Sequence, residues 1–182
     1  MTQQEMTLEQ RLQRLEDIEA VRDTWHEYML SLDAGAWDAL LDVFTEDANF
    51  EVVGFDPELF NLQPSDLRHH GRDAIVNGFY RKLPGAAERA ARKPGARRVG
   101  HHGTDLRVSL NGDEAGTIAY FLELDGSGLV FAGTYEHRMR REPDRWRIAS
   151  MRATIIYTQQ LTVANLVEAP LDPMPTAPMF IP

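Results

Sequence analysis

The clearest structural signal in the chain lies at residues 99–124, which read VGHHGTDLRVSLNGDEAGTIAYFLEL. Apolar and polar residues alternate through much of both halves, a pattern typical of strands with one buried face. Between the halves, Asn111-Gly112-Asp113 has the composition of a tight turn that joins antiparallel strands. The segment therefore predicts paired strands from Val99 to Leu110 and from Ala115 to Leu124.

The residues that follow continue the same pattern. A turn at Asp125-Gly126 precedes a third predicted strand, Leu129 to Arg141, and a fourth is predicted from Trp146 to Thr158. Four long strands joined by short turns predict an antiparallel meander. A shorter strand is predicted much earlier, at residues 50–53.

Before the meander, the apolar residues have helical spacing. Thr7 and Gln10 form a capping-box pattern, and apolar residues then recur at intervals of three or four as far as Leu32. Gly35 is a typical C-cap residue, and residues 37–44 predict a second, short helix that folds back to form a hairpin.

The connection between the hairpin and the meander contains one further predicted helix. This helix opens at Arg72-Asp73 and extends to Tyr80, and a charged loop from Leu83 to Arg97 follows it. Helices early in the chain and long strands later predict an α+β fold, with the N-terminal helices packed on a strongly curved, mostly antiparallel sheet.

The length of 182 residues suits one domain with one core. Residues 1–160 contain all the predicted helices and strands, and we expect them to form that domain. Residues 161–182 contain five of the ten prolines and predict an extended C-terminal arm.

The composition narrows the function classes. The formal net charge of −9 disfavours nucleic acid and anionic membranes as partners, and the arginine-rich stretch at residues 89–98 is interpreted as a solvated loop. The chain has no cysteine, which excludes disulfides and thiolate catalysis. Its first ten residues do not resemble a leader peptide and no apolar run is long enough for a membrane span, so we expect a cytoplasmic location.

Several segments carry a resemblance to a known family. They are Leu15 to Ala20, Tyr28 to Asp38, His101 to Val108, Gly133 to Tyr135 and Arg145 to Ile148. In these segments the chain resembles the NTF2-like superfamily and, within it, the SnoaL-like branch, through the members bile-acid 7α-dehydratase, scytalone dehydratase and hexachlorocyclohexane dehydrochlorinase. The resemblance implies a cone-shaped α+β barrel, a small-molecule pocket and an elimination reaction without a cofactor.

The resemblance also implies the residues of a site. Asp33 and His101 stand where these relatives have a catalytic Asp and His, and Tyr28 matches a tyrosine five residues before that Asp. Further side chains predicted to contact the substrate are Phe50, Phe79, His102, Glu123 and Tyr135. A tyrosine and an arginine of some relatives fall on Val52 and Ile155 here, so no particular substrate is assigned.

A histidine in contact with a carboxylate can remove a proton from carbon. The neutral imidazole accepts the proton, and the carboxylate orients the ring and stabilises the imidazolium that forms. If Asp33 and His101 act in this way, we expect their side chains to lie within about 3 Å of each other. Tyr28 is then expected to open onto the same cavity and to donate a proton or a hydrogen bond.

The leading hypothesis is a cofactor-independent, dehydratase-like lyase that acts on an apolar cyclic small molecule, with His101 as its general base. Two alternatives stay open: a non-catalytic domain that only binds or assists, and an isomerase or cyclase that uses the same base. No metal is expected, because neighbouring histidines at 69–70 and 101–102 point to opposite faces of a strand.

The choice between the two histidines depends on the phase of the strand. Simple alternation places His102, rather than His101, on the same face as Leu106 and Val108. A bulge at Gly103 would reverse the phase of the residues before it and turn His101 inward. We predict that His101 faces the pocket, with His102 as the alternative.

One face of the predicted sheet is left uncovered by the helices. The strands Leu129 to Arg141 and Trp146 to Thr158 are expected to carry apolar residues on that face, which favours burial in a homo-oligomer. Analogy with the relatives suggests a trimer, with a dimer as the alternative, and the arm from Pro170 to Pro182 is expected to pack on a neighbour.

Overall fold

The computed structural model describes residues 6–91, 100–124 and 128–161. Within these residues the helices are α1 (Leu8–Ala34), α2 (Trp37–Asp42), α3 (Arg72–Gly78) and α4 (Ala86–Ala90). The strands are β1 (Phe44–Val53), β2 (Arg68–His70), β3 (His101–Asn111), β4 (Glu114–Leu124), β5 (Leu129–Arg141) and β6 (Trp146–Gln160). Short 3₁₀ turns occur at Pro57–Phe60, Pro64–Leu67 and Tyr80–Lys82.

The six strands form one mixed sheet in the order β2-β1-β6-β5-β4-β3. The pair β1 and β6 is parallel, and every other pair is antiparallel. The sheet is curled but does not close into a barrel, because β2 and β3 remain edge strands. The predicted α+β class and the meander of four long strands are confirmed. In the described part of the chain, no helix has the length and apolar character needed to cross a membrane.

Helix α1 begins and ends as its sequence predicts. Thr7 and Gln10 form both hydrogen bonds of the capping box, and Gly35 ends the helix with a φ of 63°. The apolar stripe is buried only from Val21 onward, whereas Leu8, Leu12 and Leu15 are exposed. The stripe predicted from Leu8 is therefore too long, because the first turns of the helix have no partner within the described chain.

Some predicted boundaries are wrong around the second helix and the charged loop. Helix α2 ends at Asp42, and Phe44 already belongs to β1, where it is fully buried. Helix α3 ends at Gly78, so Tyr80 lies in the following 3₁₀ turn. The loop predicted from Leu83 to Arg97 contains the short helix α4, and its residues 92–97 lie outside the described part.

The core lies between α1 and the inner face of the sheet. Trp25, Tyr28 and Leu32 of α1 pack with buried residues from β1, β5 and β6, among them Phe44 and Met151. Burial of a large apolar side chain contributes about 1.5–3 kcal/mol to stability, so this layer accounts for much of the contact between helix and sheet. Tyr28 and Leu32 of this layer also line the cavity described below.

Gly103 lets β3 approach α1 closely. A Cβ atom at Gly103 would lie 2.3 Å from Cζ2 of Trp25 and 3.0 Å from Sδ of Met29. Real Cβ atoms do not come so close to a ring, and the ring is itself held in the core. A side chain at this position would therefore push the start of β3 away from the helix.

We expect Gly103→Ala to lower the free energy of unfolding by about 1–3 kcal/mol, the usual cost of overpacking a core. Gly116→Ala is the matched control, because a Cβ at Gly116 on the neighbouring strand meets no atom within 4 Å. Denaturant unfolding of both variants measures the difference. Equal stabilities for the two variants would contradict the close approach of β3 to Trp25.

Candidate active site

Asp33 connects the last turn of α1 to the first residue of β3. Its Oδ1 lies 2.7 Å from Nδ1 of His101, and its Oδ2 accepts a hydrogen bond of 2.9 Å from the backbone nitrogen of His101. Gly100 permits this contact, since a Cβ there would lie 2.1 Å from Oδ2 of Asp33. The contact expected between Asp33 and His101 is therefore present, and it fixes both the ring and the backbone of the histidine.

A second carboxylate meets the other nitrogen of the same ring. Glu123 lies directly opposite His101 in the β3–β4 register, and its Oε2 is 3.3 Å from Nε2 of His101. The His101 side chain is only 2% exposed. The sequence predicted that Glu123 would contact the substrate, but it did not predict this contact with the histidine.

The bulge that turns His101 inward lies later in β3 than expected. The register with β4 shifts between Thr104 and Arg107, and Asp105 within this interval has a φ of 54°. His101 consequently lines the cavity, whereas His102 is exposed and does not. The bulge predicted at Gly103 is thus displaced by about two residues, and the predicted substrate contact of His102 has no support in this geometry.

Three buried tyrosines line the cavity together with His101. The hydroxyls of Tyr28 and Tyr80 are 2.8 Å apart, and the Tyr80 hydroxyl also lies 3.8 Å from Sδ of Met151. Tyr135 stacks on Phe121, with ring centroids 4.1 Å apart. Burial raises the pKa of all three tyrosine hydroxyls well above the ordinary value, so each keeps its proton and remains a donor.

Tyr80 was missed as a site residue in the sequence. Its position among apolar residues after α3 indicated only a core residue, and no spacing rule relates it to Tyr28. His137 was also not singled out in the sequence; it does not line the cavity, is 3% exposed and has Nδ1 2.9 Å from Oγ1 of Thr117. Burial lowers the pKa of His137 to about 3, so this histidine is neutral.

The cavity is enclosed mainly by aromatic and aliphatic side chains and has a volume of about 60 Å³. Its lining includes the predicted residues Tyr28, Phe50, Phe79, His101, Glu123 and Tyr135. It also includes residues that were not predicted, among them Phe55, Phe60, Tyr80, Arg89, Phe121 and Phe131. Apart from the hydroxyls of its tyrosines, the only polar side chains that the described residues contribute to this lining are those of Arg89, His101 and Glu123.

A stacked pair of phenylalanines covers the cavity. Phe55 follows β1, Phe60 ends a 3₁₀ turn, and their ring centroids are 5.0 Å apart. Both rings also contact Phe131 of β5, at 6.0 and 5.7 Å. Sites for drug-sized ligands enclose about 300–1,000 Å³, so entry of a large ring requires this cover to move.

The two carboxylates determine the charge of His101. Burial alone would lower the pKa of the imidazole, but the charges of Glu123 and Asp33 outweigh burial and raise it to about 10. Burial opposes ionisation of Glu123, yet the adjacent imidazolium holds the pKa of Glu123 below its ordinary value. At neutral pH the ring is therefore an imidazolium between two carboxylates, rather than the neutral imidazole expected from the sequence.

The other pair of adjacent histidines takes part in local contacts. Nε2 of His69 lies 2.8 Å from the carbonyl oxygen of Asp66, and Nδ1 of His70 lies 3.1 Å from Oδ1 of Asn49. Within residues 6–91, 100–124 and 128–161, no group of three or more His, Asp or Glu side chains is arranged to hold a metal ion.

The fold and the site geometry define an α+β protein with a buried acid–base cluster, and the sequence places it in a family. A family model described as the SnoaL-like domain matches residues 13–152. Because this match covers most of the chain, the protein belongs to the SnoaL-like domain family, and the resemblance read from the sequence is confirmed. A search of curated protein sequences gives no match.

Solved structures support the same fold. A putative scytalone dehydratase from Novosphingobium aromaticivorans superposes with a TM-score of 0.59 at 16% identity, over 82% of this chain and 91% of that chain. A hexachlorocyclohexane dehydrochlorinase from Novosphingobium barchaimii LL02 gives 0.60 at 17% identity, over 87% and 99%. An NTF2-like protein with a cystatin-like fold from N. aromaticivorans gives 0.56 at 23% identity, over 80% and 86%. At these identities the similarity establishes the fold alone.

The raised pKa of His101 predicts how stability depends on pH. A group whose pKa is higher in the folded than in the unfolded protein stabilises the fold fully below its unfolded pKa of 6.5. That contribution is lost as the pH rises toward about 10, the pKa of His101 in the folded protein. We therefore expect the free energy of unfolding to fall across this interval.

Denaturant unfolding at several pH values between 6.5 and 10 tests this expectation. His101→Gln removes the titrating group, so its stability should change less with pH than that of the wild type. His102→Gln is the matched control and should keep the wild-type slope, because His102 is exposed. Parallel curves for the wild type and His101→Gln would show that the imidazole does not retain its proton in the folded protein.

Proposed function

We propose that this protein is a cofactor-independent lyase that eliminates water or a similar leaving group from an apolar cyclic small molecule. The observation that carries the proposal is the position of His101, with Nδ1 2.7 Å from Asp33 and Nε2 3.3 Å from Glu123. This cluster lies in the wall of an apolar cavity. An elimination needs one group that removes a carbon-bound proton and one that protonates the leaving group, and the cluster offers both.

Asp33 acts as the positioning residue. Its two oxygens bind Nδ1 and the backbone nitrogen of His101, which directs Nε2 toward the cavity and Glu123. The negative charge of Asp33 also stabilises the imidazolium after proton transfer. Asp33 does not need to exchange a proton in this scheme.

His101 and Glu123 both return to their starting protonation states after one reaction. In the resting state His101 is an imidazolium and Glu123 is a carboxylate. Transfer of the Nε2 proton to Glu123 leaves a neutral imidazole next to a protonated carboxyl group. The imidazole then takes the carbon-bound proton while Glu123 protonates the departing hydroxide, which leaves as water. The alkene is formed, and both groups return to their resting charges.

The tyrosines are suited to stabilise negative charge that develops on the substrate. The Tyr28 ring lies 6.5 Å from the His101 ring, and the Tyr28 and Tyr80 hydroxyls share a hydrogen bond of 2.8 Å. Burial keeps both hydroxyls protonated, and when Tyr80 donates its proton to the Tyr28 oxygen, the Tyr28 proton is available to an enolate oxygen in the cavity. Tyr28 is thus proposed as a catalytic residue and Tyr80 as its partner.

Two probe reactions separate the proposed roles. Ring opening of 5-nitrobenzisoxazole requires removal of a carbon-bound proton, but its phenolate leaving group needs no acid. Dehydration of 4-hydroxy-4-phenylbutan-2-one requires removal of an α-proton and protonation of the leaving hydroxide. Both compounds are small, apolar and aromatic, and their products are detected by absorbance.

We expect His101→Gln to lower the rates of both reactions by about 10²–10⁴-fold, because it removes the base. Glu123→Gln should lower the dehydration rate by a similar factor, because it removes the acid. The same change should leave the benzisoxazole rate equal to or higher than that of the wild type, since His101 no longer has to transfer a proton first. Asp33→Asn should slow both reactions, and His102→Gln should slow neither.

The outcomes distinguish the alternatives. Loss of benzisoxazole opening in Glu123→Gln, equal to the loss in His101→Gln, would make Glu123 the base and contradict the proposed cycle. Wild-type rates no higher than the uncatalysed background, and unchanged in all the variants, with circular dichroism showing native folding, would instead indicate a cavity that only binds ligands. Proton removal without any dehydration by the wild type would favour an isomerase or cyclase.

We also propose that the protein is a homo-oligomer that buries the outer face of the sheet. Ile118, Tyr120 and Leu122 of β4 are exposed on it, Tyr157 of β6 is exposed in register with them, and β5 adds the partly exposed Val130. The most exposed apolar residues of the patch thus lie on β4, beside the outer faces of β5 and β6 that the sequence indicated. The arm at residues 170–182, expected to pack on a neighbour, lies outside the described residues.

Light scattering at micromolar concentration should give the mass of an oligomer, a trimer by analogy with the relatives. Tyr120→Glu places a charge at the centre of the exposed β4 patch and should shift the mass toward that of a monomer. Leu59→Glu is the control, because Leu59 is equally exposed but lies on the turn near the cavity cover. A monomer mass for the wild type would refute the proposal.

A further inference from the structure

Arg89 of α4 is the one side chain with a permanent positive charge among the described residues that line the cavity. It is half-buried, and within the described part of the chain no hydrogen bond or ion pair engages its guanidinium. Every other lining residue is apolar or aromatic, apart from His101 and Glu123. An arginine with free donors at the wall of an apolar cavity requires an explanation of its own.

The backbone holds Arg89 close to the acid–base cluster. A Cβ atom at Gly35 would lie 2.6 Å from the carbonyl carbon of Arg89 and 2.5 Å from the nitrogen of Ala90. Helix α4 therefore lies directly on the C-cap of α1, two residues after Asp33. Gly35, whose φ of 63° ends α1, thus also makes room for the segment that carries Arg89.

The positive charge of Arg89 acts on Glu123 although no hydrogen bond or ion pair joins the two side chains. Burial and His101 act most strongly on Glu123, and Arg89 adds to the charges that lower the pKa of this carboxyl. An arginine whose only task was to neutralise Glu123 would be expected to form a direct ion pair with it. Here the two groups are near enough to interact through space, but no such ion pair is formed.

We propose that Arg89 binds a carboxylate on the substrate. The planar guanidinium presents paired N–H donors that match the two oxygens of a carboxylate, and a partly desolvated site strengthens this contact. The phenylalanines of the cavity would hold the ring of the same molecule. The substrate class is therefore an aromatic or alicyclic acid, with its ring inside the cavity and its carboxylate at Arg89.

This inference rests on the proposed function, since it names the substrate class of the same site, but its test measures binding rather than turnover. The probes are 3-phenylpropanoate and 3-phenylpropanamide, which have nearly the same shape and differ in charge. Isothermal titration of the full chain measures the dissociation constants of both. We expect the wild type to bind the carboxylate about tenfold more tightly than the amide, as a charge-assisted contact provides.

Arg89→Gln should remove this preference by weakening carboxylate binding and leaving amide binding unchanged. Arg89→Lys should retain part of the preference, since it keeps the charge and loses the paired donors. Arg81→Gln is the matched control and should retain the full preference for the carboxylate over the amide. Arg81 lies one element earlier, bonds to Asn77 and does not line the cavity.

Equal binding of the two probes to the wild type would overturn the proposal. So would a preference that survives Arg89→Gln, or a failure of both probes to bind. His101→Gln separates this inference from the proposed function, because it abolishes the proposed base without touching Arg89. If elimination fails in the wild type while the carboxylate preference depends on Arg89, the inference stands and the proposed reaction falls.

Discussion

Asp33 joins the end of the first helix to the start of the third strand through two hydrogen bonds to one residue, His101. This contact depends on glycines, because a Cβ at Gly100 would collide with the carboxylate and one at Gly103 would collide with Trp25. These contacts hold α1 against β3, which is an edge strand of the open sheet. His101 at the start of β3 forms part of the cavity wall. The same two bonds set the orientation of the imidazole, so packing and chemistry depend on one interaction.

Burial of the charged His101 ring costs free energy of hydration, and the neighbouring carboxylates offset this cost. An imidazolium would lose much of its hydration on burial, and the carboxylates of Asp33 and Glu123 compensate for that loss. The surrounding tyrosines add donors that remain protonated. A cluster of this kind can exchange protons internally with little reorganisation, because its partners are already in contact. The protonated state of His101 therefore stabilises the fold, and in the proposed reaction it also supplies the proton for the leaving group.

The sequence predicted the parts of this protein that depend on local patterns. Strand β5 runs from Leu129 to Arg141 as predicted, and Gly35 ends α1, because turn residues and helix caps act over a few positions. The pairing of Asp33 with His101 followed from a family resemblance. The contact of Glu123 with His101 could not be derived, since it requires the β3–β4 register, and that register is displaced by a bulge near Asp105. Tyr80 was missed for a similar reason, because its partner Tyr28 lies on a different helix.

The walls of the cavity differ in how firmly the backbone holds them. Phe121 and Phe131 belong to strands paired on both sides, so their backbone hydrogen bonds resist displacement. Phe55 and Phe60 belong to a connection of 3₁₀ turns that follows Gly54, a residue with positive φ. The ion pair between Lys82 and Asp66 links this connection to the turn after α3. Moving these two rings breaks aromatic contacts but no strand pairing. Under the proposed function, a ring that displaces Phe55 and Phe60 replaces the lost aromatic contacts with its own, which favours an aromatic substrate.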